Sequence, residues 1–356
     1  MERSFRCLPE MNKYTEVKKK GFSSRDVASM AGVSQATVSR VMNRPDCVKE
    51  ETRIRVMQAM ERLHYQPNLI ARSLVMNSTR TIGLISGNLT NVFFVETTDS
   101  IENYVKGQGY KTIIYFEKEE VKLKDIVDSL ISQKVDGILL SSIKLNDPIF
   151  EGIKRCGIPY VFFNRRPGEE GNYVVLDNEL AGQMATSHLL NLGHERIAYI
   201  SGKLDISTFH ERKIGFEKAM RMAGKRILDG LVHFVNPDEG VIGEITGRLM
   251  SLQAPPTAIL CATDALALSC MDTLMSHGLD VPGDVSLVGI DDTKLSSHQA
   301  IQLTSVGHHG FRMGQLAAGI LIDLIESGCR PHQDRQIILP PKLVIRKTSG
   351  QIRLKK

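Results

Sequence analysis

The stretch "SSRDVASMAGVSQATVSRVMN", residues 23–43, packs short hydroxyl side chains, small apolar residues and one glycine more tightly than an ordinary core helix would. The pattern reads as two short helices, Ser24 to Ala31 and Gln35 to Met42, joined by a turn at Gly32. A residue without Cβ permits the positive φ that so tight a turn needs. Ser34 is placed to cap the second helix. Ala28, Val33, Val38 and Val41 can form a small core between the two. That leaves Ser34, Gln35, Ala36, Thr37, Ser39, Arg40 and Asn43 outside. Hydroxyls of this kind suit phosphate oxygens. Arg40 can contact a guanine edge in bidentate fashion, while Gln35 and Ala36 suit an adenine edge and a thymine methyl. The expected partner is double-stranded DNA.

Charge is distributed accordingly. Residues 1–80 hold 15 Lys plus Arg against 8 Asp plus Glu, whereas the rest of the 356-residue chain holds 30 against 32. The overall charge of +5 thus conceals a cationic N-terminal fifth, where a polyanion would be gripped. Residues 1–22 lack periodicity and read as a flexible basic arm. A third helix is expected from Glu50 to His64, with Ile54, Met57, Met60 and Leu63 near helical spacing.

From Arg80 onward, apolar runs such as "TIIYF", "VDGILLSS", "IPYVFFN", "YVVLD", "RIAYISG", "PTAILCAT" and "VSLVGID" alternate with amphipathic stretches. This is the pattern of βαβ units, and its length exceeds one doubly wound sheet, so two parallel-sheet α/β subdomains are expected. In such sheets ligands gather beyond the carboxyl ends of the strands. The residues found there are polar: Ser141, Ser142, Asn164, Arg165, Asp177, Asp264 and Asp291. Their convergence suits a small polar metabolite, although each alone is also a natural helix cap, Asp264 above all.

With those residues in view, the chain resembles the LacI/GalR family of bacterial transcription regulators. The resemblance rests on the opening stretch, on "ETRIRVMQAMERLHYQPNLIARSL" and on "TIGLIS", and it continues in order almost to the C-terminus. It implies a helix-turn-helix headpiece at 23–65, a hinge at 66–79 and a dimeric, periplasmic-binding-protein-like effector core at 80–346, followed by a tail at 347–356. The core would divide into one subdomain of about 80–175 and 306–327 and a second of about 176–305 and 328–346. The resemblance further implies a hinge helix in the minor groove, with Leu74 wedged into the central base step and Ala71 against the groove floor. In the cleft it places Phe93 and Phe94 after the first strand. It also makes Arg212 of "FHERKIGF" and Asp291 of "VGIDD" the clamp on opposite sides of the ligand. The chain has no Trp, so an indole platform is missing, and Val235, beside Phe234, stands in its place. A sugar or sugar derivative is the expected effector.

Other functions fit less well. There is no GxGxxG after a strand, no Walker A and no GxSxG, so an enzyme is not expected. An exported sugar-binding protein would share the core, but the polar, basic first residues carry no apolar signal segment, and a cytoplasmic protein with no membrane span is expected. The six cysteines show no metal spacing, and "GHHG" at 307–310 reads as a crossover loop, so neither metal nor cofactor is expected. The tail lacks the leucine heptads that would join four chains, which leaves a homodimer.

Overall fold

The computed structural model describes residues 22–66, 78–117, 122–236, 241–308, 310–328 and 334–352. The chain divides into two compact units, 1–77 and 78–356. Residues 1–21 of the expected arm, and the hinge residues Ala71 and Leu74, lie outside the described residues.

In the first unit, helices α1 (Ser24–Ala31), α2 (Gln35–Asn43) and α3 (Glu50–Arg62) enclose Val27, Ala28, Ala31, Val38, Val41, Val56, Ala59 and Leu63. Local chemistry sets the boundaries. The Asp26 carboxylate accepts from both the backbone and the hydroxyl of Ser23, at 2.7 and 2.8 Å, fixing the start of α1. Gly32, at φ 63°, ends it in the left-handed region, and the Val33 N–H donates back to Ala28 O at 3.0 Å. Helix α3 stops two residues earlier than the sequence pattern suggests, because His64 takes φ 45° and leaves the helix.

The second unit contains two six-stranded sheets. One has the order β2 (Lys111–Phe116), β1 (Thr81–Ser86), β3 (Gly137–Leu140), β4 (Tyr160–Phe163), β5 (Tyr173–Leu176), β11 (Gln336–Leu339). The other runs β7 (Val232–Phe234), β6 (Ile197–Ser201), β8 (Ala258–Cys261), β9 (Ser286–Asp291), β10 (Thr304–Gly307), β12 (Lys342–Val344). All pairings are parallel except that of β12 with β10. The central strands are buried on both faces, as continuous apolar runs such as "YVVL" and "AILC" require. Helices α4 (Val92–Gly107), α5 (Leu123–Ser132), α6 (Ile149–Arg155) and α11 (Gly310–Glu326) flank the first sheet. Helices α7 (Asn178–Asn191), α8 (Ser207–Met222), α9 (Ile242–Met250) and α10 (Asp264–Ser276) flank the second.

The structure corrects three expected boundaries and holds part of the expected tail. Residues 328–346 do not all belong to the second subdomain: β11 extends the first sheet beside β5, and only β12 joins the second. The crossover near residue 306 comes later, since β10 stays in the second sheet through Gly307. The described part of the expected tail, 347–352, is tied to the second sheet: Thr348 is buried, receives the Thr304 N–H at 2.8 Å and donates to Leu287 O at 2.7 Å. The hinge also ends sooner, for Ser78 and the Thr79 N–H hold the Asp136 carboxylate at 2.6 and 2.9 Å and so belong to the core.

Candidate functional site

Helix α2 carries the DNA-reading candidates. The Ser34 hydroxyl accepts the Thr37 N–H at 3.1 Å and meets the Thr37 hydroxyl at 2.9 Å, so both residues are engaged in starting the helix. Gln35, Ala36, Ser39, Arg40 and Asn43 follow at positions i, i+1, i+4, i+5 and i+8, one stripe opposite the buried Val38 and Val41. Gln35, Ala36, Ser39 and Arg40 are exposed and Thr37 is half-buried, while the side chain of Asn43 lies outside the described residues. The Gln35 amide nitrogen donates to Ser24 Oγ at 2.8 Å, which steadies α2 against α1 and aims the glutamine.

In the second unit a cleft of about 1690 Å³ opens at the carboxyl ends of the strands. Phe93, Phe94, Asn164, Arg165, Arg212 and Asp291, all anticipated from the sequence, line it. Arg212 reaches the cleft because α8 lies unusually close to α7. A Cβ on Gly182 or Gly215 would overlap the carbonyl oxygen of Arg212 or Glu179 on the facing helix. The Arg212 guanidinium is 2 % exposed and fully directed: it donates to Asn178 Oδ1 at 2.9 Å, to the carbonyl of Ala262 and to Asp291 Oδ1 at 3.1 Å. Arginine and aspartate therefore form one buried pair on a single wall, and the expected placement on opposite sides of the ligand is corrected. Burial pushes the Asp291 carboxyl up to about 7 in spite of the facing guanidinium. Asp291 also takes φ 143°, a conformation that L residues seldom adopt and that surrounding contacts must hold.

On the first-sheet side, Asn164 occupies the left-handed region at φ 63°, with its carbonyl accepting the Thr208 hydroxyl at 2.8 Å. Its side-chain amide has no hydrogen-bond partner among the described residues and borders the cleft. Arg165 pairs with Glu117 at 3.0 Å and lies over the Phe94 ring at 5.6 Å from the centroid. Phe93 and Phe94 meet edge to face at 5.4 Å at the start of α4, where Asn91 caps the Phe93 N–H at 3.0 Å.

Three strand-end residues do not serve the cleft. Asp264 is fully buried and its oxygens are already occupied, accepting from the Thr293 N–H at 2.9 Å and from the hydroxyls of Ser296 and Ser305 at 2.6 and 2.5 Å. Its assignment to the effector is corrected. Nor is it a cap, because α10 begins at Asp264 and Thr263 caps it. Burial raises the Asp264 carboxyl against those hydrogen bonds. Asp177 caps α7 through the Leu180 N–H at 2.9 Å, and the Ser141 hydroxyl faces Ile85 O at 3.3 Å. Val235 belongs to the core cluster, and Asn236 lines the cleft instead.

The sequence reading missed Glu117 and the bridge from Lys144 to Asp205, 2.7 Å long, which raises the lysine through its hydrogen bond to the aspartate. Both acids lie in connections whose partners come from distant segments. More links tie the two sheets' ends together, including Arg166 with Glu211 at 3.0 Å and the Lys294 N–H with Glu96 at 2.9 Å. His308 sits at the crossover after β10, with Nδ1 3.0 Å from Pro340 O. Among the described residues no metal-ligand cluster occurs, and no helix is long and apolar enough to cross a membrane.

Comparison with known proteins places both units in one family of regulators. Residues 25–68 match the bacterial regulatory proteins of the lacI family, and residues 186–349 match the periplasmic binding protein-like domain. The HTH-type transcriptional repressor PurR of Vibrio parahaemolyticus is 35% identical over 331 residues, covering 91% of this chain and 97% of that protein. Its counterpart from Actinobacillus pleuropneumoniae is 33% identical over 328 residues, covering 91% and 97%. Among solved structures, the lac repressor dimer bound to operator and the anti-inducer ONPF superposes with a TM-score of 0.82 at 27% identity, over 93% of this chain and 100% of that one. The regulator CelR in complex with cellobiose gives 0.67 at 29%, over 92% and 99%. The chain belongs to the lacI family of bacterial regulatory proteins, as a DNA-binding transcriptional repressor with an effector-binding domain.

Proposed function

We propose that the chain acts in the cytoplasm as a homodimer on a near-palindromic operator, and that a sugar or sugar derivative in the cleft sets its grip on DNA. The observation that carries the effector reading is the buried Arg212 and Asp291 pair at the cleft wall. Two opposite charges held together out of water offer donors and an acceptor to adjacent hydroxyls, and a polyhydroxylated ring presents such neighbours. Asn164 supplies an uncommitted amide across the cleft, and Phe93 and Phe94 supply an apolar edge for the ring's C–H face. The cellobiose held by CelR supports the same ligand class.

On the DNA side, Arg40, Gln35 and Ala36 read base edges while Ser39 and the capping hydroxyls of Ser34 and Thr37 meet phosphates. Ala71 and Leu74 complete the reading in the minor groove, where dyad symmetry presents two leucines to one central step. Thermal-shift screening with cellobiose, monosaccharides, sugar acids and nucleobases tests the ligand class, since a ligand that binds the native state raises its melting temperature. A shift with a sugar that is lost in Asn164→Ala supports the reading. Shifts confined to nucleobases would overturn it.

A further inference from the structure

Behind the cleft wall lies a pair of thiols that neither the DNA-reading helix nor the effector cleft uses. Cys261 ends β8 and Cys270 sits in the second turn of α10, both with no exposure to solvent, and their sulfurs are 3.6 Å apart. That is van der Waals contact between sulfurs, and a disulfide requires them to close to about 2.05 Å. We propose that Cys261 and Cys270 form an oxidation site for a small hydroperoxide, closing to a disulfide that fastens β8 to α10 beside the effector cleft.

The surroundings give the two sulfurs different roles. Either thiol can donate across the sulfur contact, and with Cys261 as the donor the Cys270 sulfur is the acceptor; Thr246 Oγ1, which donates to Ile242 O at 2.8 Å, lies 3.3 Å from the same sulfur. The hydrogen bond from Cys261 holds the Cys270 thiol below its ordinary range, whereas burial pushes Cys261 up. Cys270 is therefore the attacking thiolate and Cys261 the resolving thiol. In the first step the Cys270 sulfur bonds to one peroxide oxygen as the O–O bond breaks. The departing hydroxide takes up the proton that Cys270 released, giving water and a sulfenic acid. In the second step Cys261 attacks that sulfur, the S–O bond breaks, and the departing hydroxide takes the Cys261 proton. Two thiols lose two electrons and two protons, and one hydrogen peroxide becomes two waters.

Closure acts on the cleft through two direct neighbours. Ala262, next to Cys261, gives its carbonyl to the Arg212 guanidinium, and Ser269, next to Cys270, lines the cleft. A link between residues 261 and 270 ties the acceptor of Arg212 to the helix forming the adjacent wall. Cross-linking itself does not depend on the effector reading, so the two can fail separately.

The test uses the full chain carrying Cys7→Ser, Cys47→Ser, Cys156→Ser and Cys329→Ser, which leaves the pair untouched, with hydrogen peroxide as probe. Intact mass is expected to fall by about two mass units, reversibly with dithiothreitol, and the change should map to the peptide containing both cysteines. With Cys261→Ala added, dimedone should label Cys270 after peroxide. With Cys270→Ala added instead, Cys261 should stay unlabelled. Amide exchange through Ala262 and the first turns of α10 should slow in the cross-linked chain. Both thiols remaining free under peroxide that fully oxidises Cys156 of the natural chain would overturn the site. Labelling of Cys261 would overturn the assigned roles, and unchanged exchange would overturn the effect on the wall.

Discussion

The proposed DNA-reading helix and the proposed effector cleft handle polar side chains in opposite ways. On α2 the functional groups stand in water, and Ser34, Gln35 and Thr37 spend their hydrogen bonds only on neighbours in α1 and α2. In the cleft the corresponding groups are withdrawn from water and tied to segments far apart in the chain: Arg212 to Asn178, Ala262 and Asp291, and Arg165 to Glu117. An exposed reading surface can be altered without disturbing the fold, whereas a desolvated binding surface is part of the fold. Substitutions should therefore separate function from stability at α2 and join them in the cleft.

The largest effect is expected at the buried pair. Arg212→Ala or Asp291→Ala leaves the other charge buried without its partner, which should cost about 3–5 kcal/mol of unfolding free energy. Replacing both, as Arg212→Met with Asp291→Leu, should cost less than either single change while still abolishing ligand binding. Urea denaturation measures the first, and calorimetry with a sugar found by the thermal-shift screen measures the second. Equal stability of wild type and both single variants would erase the contrast.

Arg40→Ala should show the opposite profile. Its side chain is exposed on α2, so stability should be unchanged, while discrimination for the operator falls by about 1–3 kcal/mol, roughly ten- to a hundredfold. Anisotropy titrations on operator and random DNA at one salt concentration distinguish lost readout from lost phosphate contact, because the latter weakens both alike.

A smaller effect sharpens the picture of the cleft. Asp291 is pushed up to about 7, and a ligand hydroxyl that donates to it needs the ionised form. Binding thus favours loss of the proton, so affinity should weaken as pH falls through this value, roughly tenfold between about pH 8 and about pH 6. Calorimetry in buffers of different ionisation enthalpy should show proton release on binding near neutrality. A flat profile would mean that Asp291 is not the acceptor. The smallest effect is expected for Ser34→Ala, which removes the cap of α2 and should cost about 1 kcal/mol of headpiece stability, measured by thermal melting.

The same division explains what the sequence made legible. The ends of α1 and α2 follow from Ser23 with Asp26, Gly32 and Ser34, signals within a few residues of what they control. At the core the strand-end rule picked Asn164, Arg165 and Asp291, which line the cleft, yet it drew in Asp177, Asp264 and Ser141, which do not, because a polar residue after a strand is equally suited to capping. Which role wins depends on partners such as Thr293, Ser296 and Ser305, brought to Asp264 only by the packing of β9 and β10 against α10. Glu117 and the β11 pairing escaped for a similar reason. Neither a lone glutamate after "TIIYF" nor the short "QIIL" announces its neighbour in the folded chain.

The central claim is that one chain couples the two surfaces. The most direct test measures the dissociation constant for a selected operator with and without saturating sugar, and the constant for that sugar with and without operator. Linkage requires both to change by the same factor, and an allosteric repressor should give a factor of about 5 to 150. Operator affinity that stays the same while the cleft is fully occupied would contradict the account.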